Sequence, residues 1–362
     1  MHKTTEITHG PTLNTVQLKA FIKTLAFEQQ ANLPPICVWG QHGIGKSELI
    51  QELAKEWDWP LVYCSPAQFE EMGDLTGLPY LNEQNDDRKQ SQLAPPAWIP
   101  KKEGPGILLI DDFNRADDRI LRGIMPLLLQ KEMISWALPE NWIIILTANP
   151  DGGYYAVTPV DDALLSRMLH INMVFDAKSW ALWAEKQHLP GQGIGFVLQH
   201  PELIRGQRTT PRTISWFLHL WQQSGLPTAD QPILKQLAQS CLESDVAEAF
   251  VQYIESNSTP LPEPETIIND LASSQAILEK LHQSDQLGAD RVYLLTSRLL
   301  NYLNIHFTEL NDQQLNNLVT FLLSKFVPEE QSLLFMRALS ALEHPVLGQL
   351  SSHVEIVKLL TV

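Results

Sequence analysis

Short uninterrupted apolar runs alternate with segments of helical period over the first half of the chain, and helical period takes over in the second half. ICVWG (Ile36 to Gly40), LVYC (Leu61 to Cys64), ILLI (Ile107 to Ile110) and IIIL (Ile143 to Leu146) are bounded by turn residues or polar positions. Runs of this kind are the signature of strands covered on both faces in a parallel sheet. Leu169 to Phe175 is a fifth, less uniform candidate. Thr15 to Gln30 carries Val16, Leu18, Ile22, Leu25 and Phe27 at roughly helical spacing, and Lys46 to Trp57 reads as a second helix. Strand, turn, helix and strand in that order predict the β-turn-α-β unit from which doubly wound sheets are built.

Ser65 to Gly106 reads differently. Its polar run NEQNDDRKQSQ and its proline-rich APPAWIP predict an exposed insertion or long loop. Beyond Asp176 the pattern is helical, with breaks at Pro190-Gly191, Gly225-Leu226-Pro227, STPLPEPE and Val327-Pro328.

Composition narrows the classes. With 362 residues, 44% hydrophobic and 19% charged, the chain is long enough for two or three packed units and has the balance of a folded globular protein. No stretch reaches the roughly 18 apolar residues a membrane helix needs, and MHKTTEITHG lacks the apolar run of a signal peptide, so an intracellular, cytoplasmic protein is expected. The three cysteines, Cys37, Cys64 and Cys241, and the eleven histidines show no metal-ligand or disulfide spacing. The formal charge of −16 argues against a broad grip on nucleic acid, and the stretch from Leu226 onward, with 7 basic against 17 acidic residues, least of all.

The strongest chemical signal is GQHGIGKS at 40–47, which fits G-x-x-x-x-G-K-S/T in full. Glycines at that spacing let successive backbone N–H groups turn toward phosphate oxygens at a helix N-terminus. Gly40, Gln41, His42, Gly43, Ile44, Gly45, Lys46, Ser47 and Glu48 are thus expected around a bound triphosphate. Lys46 reaches the β- and γ-phosphates, and Ser47 ligates Mg²⁺. ILLI runs directly into Asp111-Asp112. There Asp111 is expected to hold Mg²⁺ and Asp112 to polarise the attacking water. Asn149, just after IIIL, can orient water or the γ-phosphate with its amide.

Two arginines could stabilise developing charge on phosphate. Arg167 lies near the end of a short helix capped by Asp161 or Asp162, where a cation also complements the helix dipole. Arg212 follows Thr210 and Pro211, the expected cap and first residue of a helix. A cation in that first turn opposes the macrodipole, so helix stability does not account for it. Arg115, Arg119 and Arg122 line the helix after the acidic pair and are equally suited to surface or subunit contacts.

Taken in order, GQHGIGKS, GDLTGLP, ILLIDDFNRA, TANP running into GGYYAVTPVDDALLSRM, and TTPRTISWF resemble the AAA+ ATPases, and in detail their MoxR-like branch with an insert in helix 2. That resemblance, over about residues 30–220, implies an α/β P-loop fold with a five-stranded parallel sheet. A helical lid and an all-α C-terminal region would follow, with boundaries at 1–175, 176–225 and 226–362. It implies ATP and Mg²⁺ as cofactors, a homo-oligomer, hexameric in the family's usual form, and Asn149, Arg167 and Arg212 as sensor 1, arginine finger and sensor 2. It also implies the insert between Leu61 and Ile107 and a short hairpin from Met133 to Trp142.

The function so implied is ATP hydrolysis at subunit boundaries that remodels a protein partner, for which a von Willebrand factor A domain protein is the family's common case. Asp112 stands where the family usually has Glu. Two alternatives stay open at this point: a hydrolysis-poor ATP-gated scaffold, and a nucleic-acid-associated motor, which the acidic composition disfavours.

Overall fold

The computed structural model describes residues 9–28, 33–82, 90–150, 157–204, 206–225, 231–257 and 259–356. Gln29 and Gln30 of the expected first helix, most of the polar run after Asn82, the GGYY segment and the residues just after Gly225 lie outside that set. The chain divides into two units, Met1–Phe175 and Asp176–Val362.

The first unit contains, in order, β1 (Thr12–Leu13), α1 (Thr15–Glu28), β2 (Ile36–Trp39), α2 (Lys46–Glu56), β3 (Leu61–Cys64), α3 (Met72–Thr76), β4 (Leu78–Asn82) and β5 (Gln90–Ala94). It continues with β6 (Gly106–Ile110), α4 (Asp118–Gly123), α5 (Met125–Gln130), β7 (Trp142–Ala148), α6 (Asp162–Leu165) and β8 (Leu169–Met173). One sheet runs in the order β1-β8-β2-β7-β6-β3, parallel throughout. It has six strands rather than the expected five, because Thr12–Leu13 pairs with Asn172 and Met173 of β8. Two residues are too few to show a period in the sequence.

The apolar runs are explained by burial on both faces. Cys37, Trp39, Leu108, Ile110, Ile144 and Leu146 pack on one side with Phe113, Ile120, Leu127 and Trp136. Ile36, Val38, Ile107, Leu109, Ile143 and Ile145 pack on the other with Leu18, Ile22, Leu49, Ile50 and Leu53 of α1 and α2. Each such side chain taken fully out of water stabilises the fold by about 1.5–3 kcal/mol. Alternate residues of one strand therefore feed two separate cores, which keeps the runs apolar at consecutive positions.

The stretch after Ser65 is more ordered than the expected loop. It holds a 3-10 turn at Pro66–Gln68, the helix α3, and the antiparallel hairpin β4–β5. Leu75 of α3 is buried in the core, and two indoles hold the segment: Trp98 Nε1 donates to Asp74 O at 2.9 Å and Trp136 Nε1 to Leu75 O at 3.1 Å. Leu78, Tyr80 and Leu81 on the hairpin are exposed. The expected hairpin from Met133 to Trp142 is a tight turn closed by one bridge, Glu132 to Ala137, after which Trp142 already belongs to β7.

The second unit is helical: α7 (Ala177–Lys186), α8 (Gly191–Gln199), α9 (Pro211–Ser224), α10 (Gln231–Cys241), α11 (Ser244–Ser256), α12 (Pro264–Asn269), α13 (Leu271–Gln283), α14 (Ala289–His306), α15 (Asp312–Leu322), α16 (Glu329–Ala341) and α17 (Val346–Ser352). Phe250 of α11 meets Phe196 of α8 and Phe217 of α9 edge-on, with ring centroids 5.1 and 4.8 Å apart. Leu299, Leu303, Phe321, Phe335 and Leu339 build a further core from α14, α15 and α16. Among the described residues no helix is long and apolar enough to cross a membrane.

Candidate nucleotide-binding site

The loop between β2 and α2 is shaped by its glycines. Gly43 and Gly45 have φ of 71° and 96°, a left-handed conformation that side chains with a Cβ rarely adopt. A Cβ on Gly40 would lie 2.8 Å from Met173 O and 2.6 Å from Ile44 Cδ1, so the loop can close on the sheet only without one. Because α2 starts at Lys46, the N–H groups of its first turn have no acceptor within the helix and are available to an anion. Gln41 and Glu48 are exposed, while His42 and Ile44 are half-buried.

Lys46 is 6% exposed, and its Nζ donates to Gly40 O at 2.7 Å, Gln41 O at 3.0 Å and Asn149 Oδ1 at 3.2 Å. The ammonium is thus held inside the loop by oxygen atoms. Ser47 Oγ donates to Asp111 Oδ1 at 2.5 Å, which brings a hydroxyl and a carboxylate to one point. Both are hard oxygen donors of the kind Mg²⁺ selects. The glycine-lined loop, the seated lysine and this oxygen pair fit Mg-nucleotide.

Asp111 also accepts from Thr147 Oγ1 at 2.6 Å and from Tyr63 OH at 2.9 Å. Burial, then the negative charge of Asp111, pushes the Tyr63 phenol up to about 12, so it remains a donor at neutral pH. Thr147 takes a second role, because its Oγ1 accepts the Asp112 N–H at 2.8 Å and so fixes where the second acid begins. Asp112 has φ 49° and ψ 44°, left-handed for a residue with a side chain. Asp tolerates that region better than Glu does, which gives a backbone reason for the shorter acid.

Asn149 ties the pieces together. Its Nδ2 donates to Asp112 Oδ1 at 2.9 Å while its Oδ1 accepts from Lys46. Its own backbone is clamped by Asn114, whose Oδ1 accepts the Asn149 N–H at 3.1 Å and whose Nδ2 donates to Asn149 O at 2.8 Å. Both asparagines are fully buried. Arg115 Nε lies 3.3 Å from the other oxygen of Asp112.

Lys46, Ser47, Asp111, Asp112 and Asn149 are therefore brought together in one hydrogen-bonded cluster. Tyr63, Asn114 and Thr147 are additions that the sequence reading did not single out. Arg167 is outside this cluster: its Nη1 donates to Ala163 O, one turn back in α6, which Asp161 caps by accepting the Leu164 N–H at 2.7 Å. Arg212 lies in the second unit, in the first turn of α9, with Thr210 as cap and Pro211 as first residue.

No curated protein matches the chain. Among solved structures, a point mutant of RuvB from Thermotoga maritima is similar at 15% identity and a TM-score of 0.38, over 80% of this chain and 87% of that one. Residues 35–168 match the model of the AAA domain (dynein-related subfamily). That segment carries every one of the hydrogen-bonded site residues above, and the chain has the P-loop AAA+ fold, a parallel sheet with helices followed by a helical C-terminal region.

Proposed function

We propose that the protein binds Mg-ATP between Lys46, Ser47 and Asp111 and hydrolyses it, using the energy to remodel a protein partner as MoxR-like AAA+ ATPases do. The observation that carries this reading is the continuous link Lys46–Asn149–Asp112, with Ser47 and Asp111 meeting beside it. The amides of the loop and Lys46 hold the phosphates, and Ser47 and Asp111 hold the metal. Bound Mg²⁺ supplies neutralisation of the developing phosphate charge. Asp112 accepts a proton from the attacking water, and Asn149 keeps that carboxylate aimed.

Arg167 is assigned the arginine-finger role toward a neighbouring subunit's nucleotide, Arg212 the sensor 2 role, and the working form is assigned as a ring, for which a hexamer is the family's common arrangement. The 176–225 segment is assigned as a helical lid, and 226–362 as an acidic docking or assembly region. The exposed Leu78, Tyr80 and Leu81 of the hairpin offer apolar surface for a partner, for which a von Willebrand factor A domain protein is the first candidate.

Turnover at saturating Mg-ATP tests the reading. Lys46→Ala is expected to abolish nucleotide binding, whereas Arg167→Ala is expected to keep it and lower turnover about 10³-fold. Unchanged turnover in Arg167→Ala removes the trans assignment. Wild-type protein that binds Mg-ATP but does not turn it over supports the second reading, an ATP-gated scaffold, which the engagement of Asp112 by both Asn149 and Arg115 favours.

A further inference from the structure

The second unit contains a polar pocket unrelated to the phosphate loop. It is a cavity of about 20 Å³, enough for one water or one small ion, lined by Gln192, Tyr253, Asn257, Glu263, Arg291 and Arg298 among others. Two guanidinium groups face it, and they are compensated very unequally.

Arg298 is 3% exposed and carries both nearby carboxylates: Nε donates to Glu185 Oε1 at 2.6 Å and Nη2 to Glu263 Oε2 at 2.5 Å. Its Nη1 has no acceptor among the described residues. Arg291 is 9% exposed and donates only to carbonyls, Gln286 O at 3.1 Å and Thr259 O at 2.6 Å. Among the described residues no carboxylate pairs with it. A buried cation without a counter-charge is costly, and buried charges in folded proteins are as a rule paired.

The remaining donors around the cavity sort in the same way. Asn257 Nδ2 is spent on Tyr253 O at 2.8 Å and Gln192 Nε2 on Asn257 O at 3.3 Å. The Tyr253 hydroxyl has no acceptor among the described residues. Burial pushes that phenol up to about 12, against the pull of Arg291 and Arg298, so it keeps its proton.

Helix α8 is cut to admit these groups. A Cβ on Gly191 would overlap Arg298 Nη1, and one on Gly195 would lie 2.6 Å from the Tyr253 hydroxyl oxygen. Gly195, inside the helix, costs about 0.5–1 kcal/mol relative to Ala, and that cost falls where the Tyr253 hydroxyl enters, while Gly191 begins the helix where Arg298 Nη1 enters.

We propose that this pocket is a binding site for a small monovalent anion of halide size, held by Arg291, Arg298 Nη1 and the Tyr253 hydroxyl, which completes the polar core joining α8, α11 and α14. The proposal is independent of nucleotide binding at the phosphate loop. Both carboxylates are engaged by Arg298, which leaves Arg291 as the guanidinium without a carboxylate partner of its own among the described residues.

Thermal unfolding of the full chain in sodium chloride and in sodium gluconate at equal ionic strength tests it. Wild type is expected to gain about 2–4 °C in chloride, saturating with concentration, with bromide acting similarly. Tyr253→Phe and Arg291→Met are expected to lose that chloride-specific gain. Tyr253→Phe removes a single oxygen and so reports even if Arg291→Met fails to fold. Crystals grown in bromide should give an anomalous peak within hydrogen-bond distance of Arg298 Nη1 and the Tyr253 hydroxyl. Equal melting in chloride and gluconate, a chloride gain retained in Tyr253→Phe, or a pocket without an anomalous peak overturns the proposal.

Discussion

The indole of Trp39 donates through Nε1 to His170 Nδ1 at 2.9 Å, and the opposite ring nitrogen of His170 lies 2.7 Å from Leu165 O. A carbonyl only accepts, so Nε2 carries the proton and the ring is held as the neutral Nε2–H tautomer. Trp39 is the last residue of β2 before the phosphate loop, and Leu165 ends α6, two residues before Arg167. The histidine thus joins the root of the loop to the end of the helix that precedes the proposed finger.

Replacing His170 with Leu leaves the buried indole N–H without its acceptor. A loss of about 1–3 kcal/mol in unfolding free energy is expected. His170→Gln, which can still accept, should recover part of it in the same denaturant titration.

Asp112 is expected to show separate backbone and chemical roles. Asp112→Asn keeps a residue that tolerates the left-handed region and should bind Mg-ATP normally while turnover falls about 10²-fold or more. Asp112→Glu places a longer side chain on the same backbone and should lower stability by about 1 kcal/mol. Calorimetric binding, steady-state turnover and thermal melts distinguish the two.

Gly40→Ala directs a methyl group at Met173 O, a backbone atom that cannot turn aside. Overpacking of this kind costs about 1–3 kcal/mol. Weaker nucleotide binding with an intact far-ultraviolet spectrum is the expected result.

Glu243 gives a pH prediction. Its carboxylate accepts the N–H groups of Gln207 at 2.9 Å, Arg208 at 3.3 Å and Thr209 at 3.1 Å. Burial alone would raise its pKa, but the hydrogen bonds from Thr209, Arg208 and Gln207 outweigh that and hold it below its ordinary 4.5. The folded state therefore binds the proton less readily than the unfolded chain does. The stabilisation is complete above 4.5 and is lost as pH falls through the lower folded value. Glu243→Gln should be less stable at neutral pH and show a shallower loss of stability on acidification, read from denaturant midpoints across that range.

What the sequence disclosed was what local chemistry determines. Central strands showed as apolar runs because both their faces are covered, and Thr210-Pro211 announced the start of α9 because caps act within one turn. The proximity of Lys46, Ser47 and Asp111 was readable because the phosphate-loop pattern sets such side chains at fixed offsets from a glycine loop and a strand end. Tyr63 and Thr147 act through strand pairing, which sets β3 and β7 on either side of β6 and so brings both hydroxyls to Asp111. No spacing along the chain encodes that. Helix α3 was hidden because indole-to-carbonyl hydrogen bonds, rather than an apolar period, hold it in place.

A single amide serves both ends of the polar cluster. Asn149 accepts from Lys46 with its oxygen and donates to Asp112 with its nitrogen, on a backbone that Asn114 does not allow to shift. On the proposed function, an ammonium drawn toward phosphate gives up that oxygen, and the same amide still holds the acid beside it. On that same reading, occupancy of the loop is coupled to Asp112 through this one side chain, with the sheet as a fixed frame.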